Sequence, residues 1–215
     1  MTDILCVLWD HDDTLLSTFA LRALATTHAA REVLGREVDG VELLRSTHGQ
    51  SLDKFAGKLG ANEADAQAFV NAYRDFYYTR NDQGLDVYTG IPEVLAQLGS
   101  RNLKMGVVTA KLGRGARQEL DIVGLRQWFS VVVGAEDASR SKPHPEPFVK
   151  AMAELGADPS HTLMVGDTPT DVAGARAAGI RVAAALWGTS DRDAVLAAKP
   201  DHSLQQPADI LALVK

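Results

Sequence analysis

The sequence predicts an α/β protein: a parallel sheet with helices on both faces, and an all-helical segment inserted after the first strand. Three observations predict this. Residues 4–9 are an unbroken apolar run of strand length, as expected of a strand buried on both faces. From residue 91 onward, short apolar runs alternate with stretches of helical period, the pattern of right-handed βαβ units. Between them, from Leu16 to about Asp86, the spacing is helical and carries no strand signal.

The insertion opens on Ala20, Ala23, Leu24, Thr27 and Leu34, which recur at helical spacing. Ser17 or Thr18 is placed to cap that helix, and Gly35 to stop it. Shorter apolar groupings occupy 41–44 and 52–59. Ala66, Phe69, Val70, Tyr73 and Tyr77 form a second stripe, whose simplest reading is core packing. Beyond it, 91–98 reads as a helix, with Gly90 before it and Pro92 in its first turn. Strands are expected at 103–109, 130–133, 162–166 and 180–186, with an edge strand near 203–204. Helices are expected at 117–125, 147–155, 171–178, 191–198 and 208–214. The glycine-rich, basic stretch Gly113-Arg114-Gly115-Ala116-Arg117 lacks a full phosphate-loop pattern and reads as a loop leading into a helix.

A length of 215 residues permits one large domain, or a domain with a sizeable insertion. The net charge of −6, without a basic cluster, argues against a nucleic-acid surface. No apolar stretch is long enough to cross a membrane, and the start of the chain lacks a leader pattern, so a cytoplasmic location is expected. The single cysteine, Cys6, falls within the first strand and reads as a small buried apolar residue; one cysteine permits no disulfide framework.

Charge is concentrated where the strands end. Directly after the first strand come Asp10, Asp12 and Asp13. Two carboxylates about 4 Å apart repel by roughly 4 kcal/mol at an effective dielectric of about 20. A fold tolerates this with a metal ion among them or with one carboxylate protonated; an Asp-rich turn is the plainer alternative. Thr109, Ala110 and Lys111 follow the second strand, Lys142 stands in a proline-rich loop, and Asp167 to Asp171 follow the 162–166 strand. Strands of one parallel sheet share an end, where ligands bind, so these groups can meet in one crevice. Taken singly, Thr109 reads first as a strand terminus and Lys142 as a solvated lysine, and Asp171 can simply cap the following helix.

Asp10-His11-Asp12-Asp13-Thr14-Leu15, Thr109, Lys142 within Lys-Pro-His-Pro-Glu-Pro-Phe, and Gly166-Asp167-Thr168-Pro169-Thr170-Asp171 occur in that order. Together they resemble the four motifs of the haloacid-dehalogenase-like (HAD) hydrolases, and the subgroup that contains phosphoglycolate phosphatases. The resemblance implies a Rossmann-like core over residues 1–15 and 88–215, with a helical cap over 16–87. It implies that Asp10 is the nucleophile and Asp12 the general acid and base. Thr109 and Lys142 would bind the phosphoryl group, and Asp171 would orient Lys142 or a water. Asp10, Asp167 and the backbone carbonyl of Asp12 would hold Mg²⁺, an all-oxygen set suited to a hard cation. Asp12 favours phosphoryl transfer over dehalogenation, because a halide leaving group needs no proton.

Two positions depart from the family pattern: Asp13 stands where glycine is usual, and Ser17 where many relatives carry Asp. A positive φ at residue 13 is tolerable for Asp. Expected substrate-binding residues are His11, Ala110 and Lys111 in the core, with Arg45, His48 and Lys54 in the insertion. The implied partner is a small phosphorylated metabolite, handled by a monomer or homodimer. The implied activity is a Mg²⁺-dependent phosphatase acting on a phosphate monoester. A phosphomutase of the same superfamily, or a regulatory protein without turnover, are the alternatives.

Overall fold

The computed structural model describes residues 3–47, 52–80 and 85–214. Strand β1 (Cys6–Trp9) runs through a tight turn into the two-residue β2 (Leu16–Ser17). Four helices follow: α1 (Phe19–Leu34), α2 (Gly40–Thr47), α3 (Leu52–Lys58) and α4 (Glu63–Tyr78). The chain returns through β3 (Asp86–Val87) and α5 (Ile91–Ser100). Then come β4 (Lys104–Val108), α6 (Gly113–Ile122), β5 (Val131–Val133), α7 (Glu146–Leu155) and β6 (Thr162–Gly166). The chain ends with α8 (Pro169–Ala177), β7 (Arg181–Ala185), α9 (Arg192–Ala197) and β8 (His202–Leu204).

Six strands form one parallel sheet in the order β5-β4-β1-β6-β7-β8, an α/β fold of Rossmann-like type. β1 lies at its centre because both of its faces are apolar. Val7 and Trp9 face a core completed by Ile91, Leu95 and Leu98 of α5 and by Leu120 of α6. Cys6 and Leu8 face the opposite core, with Phe148 and Ala151 of α7 and Val172 of α8. Each of the large side chains contributes roughly 1.5–3 kcal/mol by leaving water, so the centre of the sheet is anchored from both faces.

The helical insertion has its own apolar cluster, in which Ala25, Ala29 and Ala30 of α1 meet Phe69, Tyr73 and Tyr77 of α4. This corrects the expected stripe on α1. Leu24 is 60% exposed and Ala20 is exposed, because the large rings of α4 require small residues opposite them. β2 and β3 pair antiparallel, Leu16 with Val87 and Ser17 with Asp86, tying the two chain crossings together. Two residues are too few to show a period, so neither strand leaves a local signal.

Two helix boundaries also differ. α6 begins at Gly113, so the Gly113–Arg117 stretch is helix and not a leading loop. The Glu136 carboxylate accepts from the N–H groups of Gly113 (2.7 Å) and Arg114 (3.2 Å), supplying a cap from a distant turn that local reading cannot see. The segment expected as a closing helix is a 3₁₀ turn, Pro207–Ala212. Among the described residues, no helix is long and apolar enough to cross a membrane.

Candidate active site

β1, β4 and β6 are neighbours in the sheet, so their carboxyl ends deliver Asp10, Thr109 and Asp167 to one crevice. Lys142 enters it from the loop between β5 and α7. Its ammonium donates to Asp10 Oδ1 (2.8 Å), Asp171 Oδ1 (2.7 Å) and the Val108 carbonyl (3.1 Å), and the residue is 3% exposed. Burial disfavours this charge, but Asp10 and Asp171 together raise its affinity for a proton. The second oxygen of Asp171 accepts from Thr168 N (3.1 Å) and Thr168 Oγ1 (2.6 Å) at the start of α8, which fixes the direction of the first. The approach depends on Gly166: a Cβ there would lie 2.4 Å from Asp171 Cγ.

Asp10 Oδ1 also accepts from the N–H of His11 at 2.7 Å. Burial, with the charge of Asp171, pushes its carboxyl up to about 7, against the pull of Lys142. Asp167 accepts from Thr14 Oγ1 at 2.9 Å; burial, then the charges of Asp13 and Asp10, raise it well above the usual carboxylate range. One carboxylate oxygen from each of Asp10, Asp167 and Asp171 lies within 4.8 Å of the other two. Lys142 serves Asp10 and Asp171 but not Asp167. The donor set is oxygen only and its charge is under-compensated, so these residues fit a hard divalent cation. A second acidic group, His11, Asp12 and Glu119, is equally tight, but the Lys111 ammonium already sits between its carboxylates.

Asp12 lies in a different field. Burial alone would raise it, but Lys111 at 2.9 Å, with further help from His11 and Arg22, holds it well below the usual range. Thr18 Oγ1 donates to the same oxygen at 2.7 Å. Thr18 therefore precedes α1 without capping it through its hydroxyl, contrary to expectation. Asp13 is the capping residue, its Oδ1 accepting from Thr18 N (3.1 Å) and Phe19 N (3.0 Å). Asp13 has φ +59°, the left-handed conformation expected of a position where glycine is usual. Its other oxygen meets Arg22 Nη2 at 2.5 Å.

Other expected roles change. His11 is fully buried beneath the crevice, with ring nitrogens 3.4 Å from Asp12 and 3.5 Å from Glu119, and does not line the cavity. Lys111 does line it, but its ammonium is shared by Asp12, Glu119 and Tyr77. Thr109 Oγ1 accepts from Lys111 N at 3.1 Å, which aims the turn after β4. Ala110 and Arg45 line a cavity of about 280 Å³ between core and insertion, as do Asp10, Asp12, Thr109, Lys142 and Asp167. His48 and the side chain of Lys54 lie outside the described residues.

Sequence reasoning missed Arg22, Arg74, Tyr73 and Tyr77, which face the same cavity. Arg22 left one signal: a cation in the first turns of a helix opposes the helix dipole, which points to a dedicated acid nearby. Tyr73 and Tyr77 are four residues apart and so share a helix face, but nothing local tells a core face from a cavity wall.

A pinned lysine and a cluster of buried carboxylates thus meet at one edge of a parallel sheet, where ligands of α/β enzymes bind. The family model for haloacid dehalogenase-like hydrolases matches residues 7–185, and the chain belongs to that family. It is 32% identical over 208 residues to the pyrophosphatase PpaX of Bacillus mycoides, covering 97% of this chain and 95% of that one. The PpaX of Oceanobacillus iheyensis is 29% identical, with the same coverage of 97% and 95%. Among solved structures, a protein from Haemophilus somnus 129PT described as a predicted phosphoglycolate phosphatase is similar. It superposes with a TM-score of 0.84 at 25% identity, over 99% of this chain and 98% of that one. The chain is thus a hydrolase of the phosphatase type.

Proposed function

We propose that the protein is a Mg²⁺-dependent phosphatase of small organic phosphate monoesters, and that the helical insertion over residues 16–87 acts as its cap. The observation that carries this reading is the Lys142 ammonium held by both Asp10 and Asp171, beside Asp167, at the floor of the cavity. Asp10 attacks phosphorus and becomes an acyl phosphate; water then cleaves it. A carboxylate is a weak nucleophile, so positioning and charge neutralisation carry most of the rate. Lys142 offsets the charge of Asp10 and of the entering phosphoryl group. Thr109 and the backbone N–H groups after β4 donate to phosphoryl oxygens.

Asp12 hands a proton to the leaving oxygen in the first step and takes one from water in the second. The ionised form that Lys111 favours suits the second step. In the first, the entering anion offsets the field of Lys111 and Arg22 and restores proton affinity to Asp12. Mg²⁺ held by Asp10, Asp167 and the Asp12 carbonyl would supply charge stabilisation for the phosphoryl group.

The cavity wall supports an organic substrate. Phe19, Leu44, Leu52 and Val70 face it together with the cations Arg45 and Arg74, a lining suited to a carbon skeleton that bears negative charge. Inorganic pyrophosphate, the substrate named for the PpaX relatives, is the second reading. A panel of phosphorylated metabolites with pyrophosphate included, read by release of inorganic phosphate, tests both. We expect Mg²⁺-dependent release, with an organic monoester giving the highest kcat/KM. Release from pyrophosphate alone overturns the monoester assignment, and isomerisation without release identifies a mutase.

The raised carboxyls of Asp10 and Asp167 also predict a pH dependence. A raised folded-state value means that folding favours the protonated form. That stabilisation is complete below about 4, the unfolded value, and is lost as pH rises through about 7 for Asp10. Metal-free protein is therefore expected to melt at lower temperature at pH 8 than at pH 5.5. Added Mg²⁺ should raise Tm more at pH 8, where the competing protons are gone. Equal Mg²⁺ shifts at both pH values would contradict it.

A further inference from the structure

Lys111 joins core to insertion. Its ammonium lies 2.9 Å from Asp12 Oδ1 and 2.6 Å from Glu119 Oε2 in the core. It also donates to Tyr77 Oη of α4 at 2.9 Å and stands 4.4 Å from the centre of that ring. Ammonium has three protons, so each partner takes one. Tyr77 is 1% exposed and stacks on Tyr73 at 6.0 Å, so its hydroxyl has little freedom to turn away.

The end of α4 is seated on the core by a second contact. Tyr78 Oη occupies the place a Cβ on Gly115 would take, 2.1 Å from that position, so its ring rests directly on the backbone of α6. α6 also carries Glu119. The two adjacent tyrosines thus meet the same core helix, one through bare backbone and one through the Lys111 network.

We infer that Tyr77 and Lys111 are positioning residues through which docking of the helical insertion sets the Asp12 carboxyl for proton transfer to the leaving group. With α4 seated, the phenol takes the third proton of Lys111 and fixes the direction of the other two, one of which holds Asp12 Oδ1. With α4 lifted, Lys111 keeps Glu119 but loses that anchor, so its proton is aimed less firmly at Asp12 and the carboxyl is left to Thr18 Oγ1. Proton delivery is then confined to the closed enzyme, in which the substrate is already enclosed. The inference rests on the proposed role of Asp12 as proton donor.

A leaving-group comparison tests it. Phenyl phosphate needs protonation of its leaving oxygen far more than p-nitrophenyl phosphate does. Tyr77→Phe keeps the ring and removes only the hydroxyl. Its kcat/KM for phenyl phosphate is expected to fall about tenfold, against less than about threefold for p-nitrophenyl phosphate, a part of the 10²–10⁴ that general acids supply. Gly115→Ala, which displaces the Tyr78 ring without touching a charge, should steepen the dependence in the same direction. Asp12→Asn sets the upper limit of the effect. If Asp12→Asn is steep while Tyr77→Phe loses both substrates equally or neither, the coupling is overturned and the role of Asp12 stands. If Asp12→Asn is itself insensitive to the leaving group, both are overturned.

Discussion

Asp10→Asn is expected to abolish turnover, with phosphate release down at least about 10⁴-fold, because the variant removes the atom that attacks phosphorus. The fold should tolerate the change. The amide oxygen can still accept from His11 N, and Lys142 keeps Asp171 and the Val108 carbonyl. Asp10 is buried beside other acids, and its charge is disfavoured enough to push it up to about 7. Removing that charge should leave metal-free protein at pH 8 at least as stable as the parent, by thermal unfolding. A variant that is inactive and more stable separates chemistry from folding. A variant that still releases phosphate would rule out Asp10 as nucleophile.

Lys142→Met should fail on both counts. The substitution leaves Asp10 and Asp171, both almost fully buried, facing one another without the cation that joins them. Stranding a buried charge costs about 3–5 kcal/mol, a fall in Tm on the order of 10 °C for a chain of this length. Activity should drop at least about 10³-fold. Arginine should not rescue it, because a planar guanidinium cannot direct three protons at two carboxylates and a carbonyl as an ammonium does. Unchanged unfolding and turnover in Lys142→Met would show that the contacts in this crevice do not govern function.

Much of this site is legible without coordinates. Asp10, Asp12, Thr109, Lys142 and Asp167 each follow a strand or stand in a marked loop, and parallel strands share an end, so their meeting follows from topology. What stays hidden depends on distance along the chain. Glu119 is a charged residue within a short helix, which locally reads as a solvated face, yet it is fully buried against Lys111. Tyr77 carries the apolar spacing of a core helix, and its hydroxyl finds Lys111 34 positions away. His11 adjoins Asp10 and so reads as part of the pocket lining, but the chain bends at His11 directly after β1, and its ring lies beneath the crevice beside Asp12 and Glu119. The start of α6 escapes local reading because its cap, Glu136, comes from another turn. Periodicity reports which face is buried, not what waits on the other side.

The contact between Asp13 and Arg22 carries a consequence for how this lineage can vary. An acid occupies a left-handed turn where glycine is usual, and a guanidinium from the adjacent helix neutralises it at 2.5 Å. The two side chains form a coupled unit: replacing Asp13 alone would leave the Arg22 guanidinium to the more distant Asp12 carboxylate at 4.0 Å, and loss of Arg22 alone would strand a negative charge beside Asp167. Exchange at both sites together avoids either imbalance, so divergence here is expected to proceed by covariation.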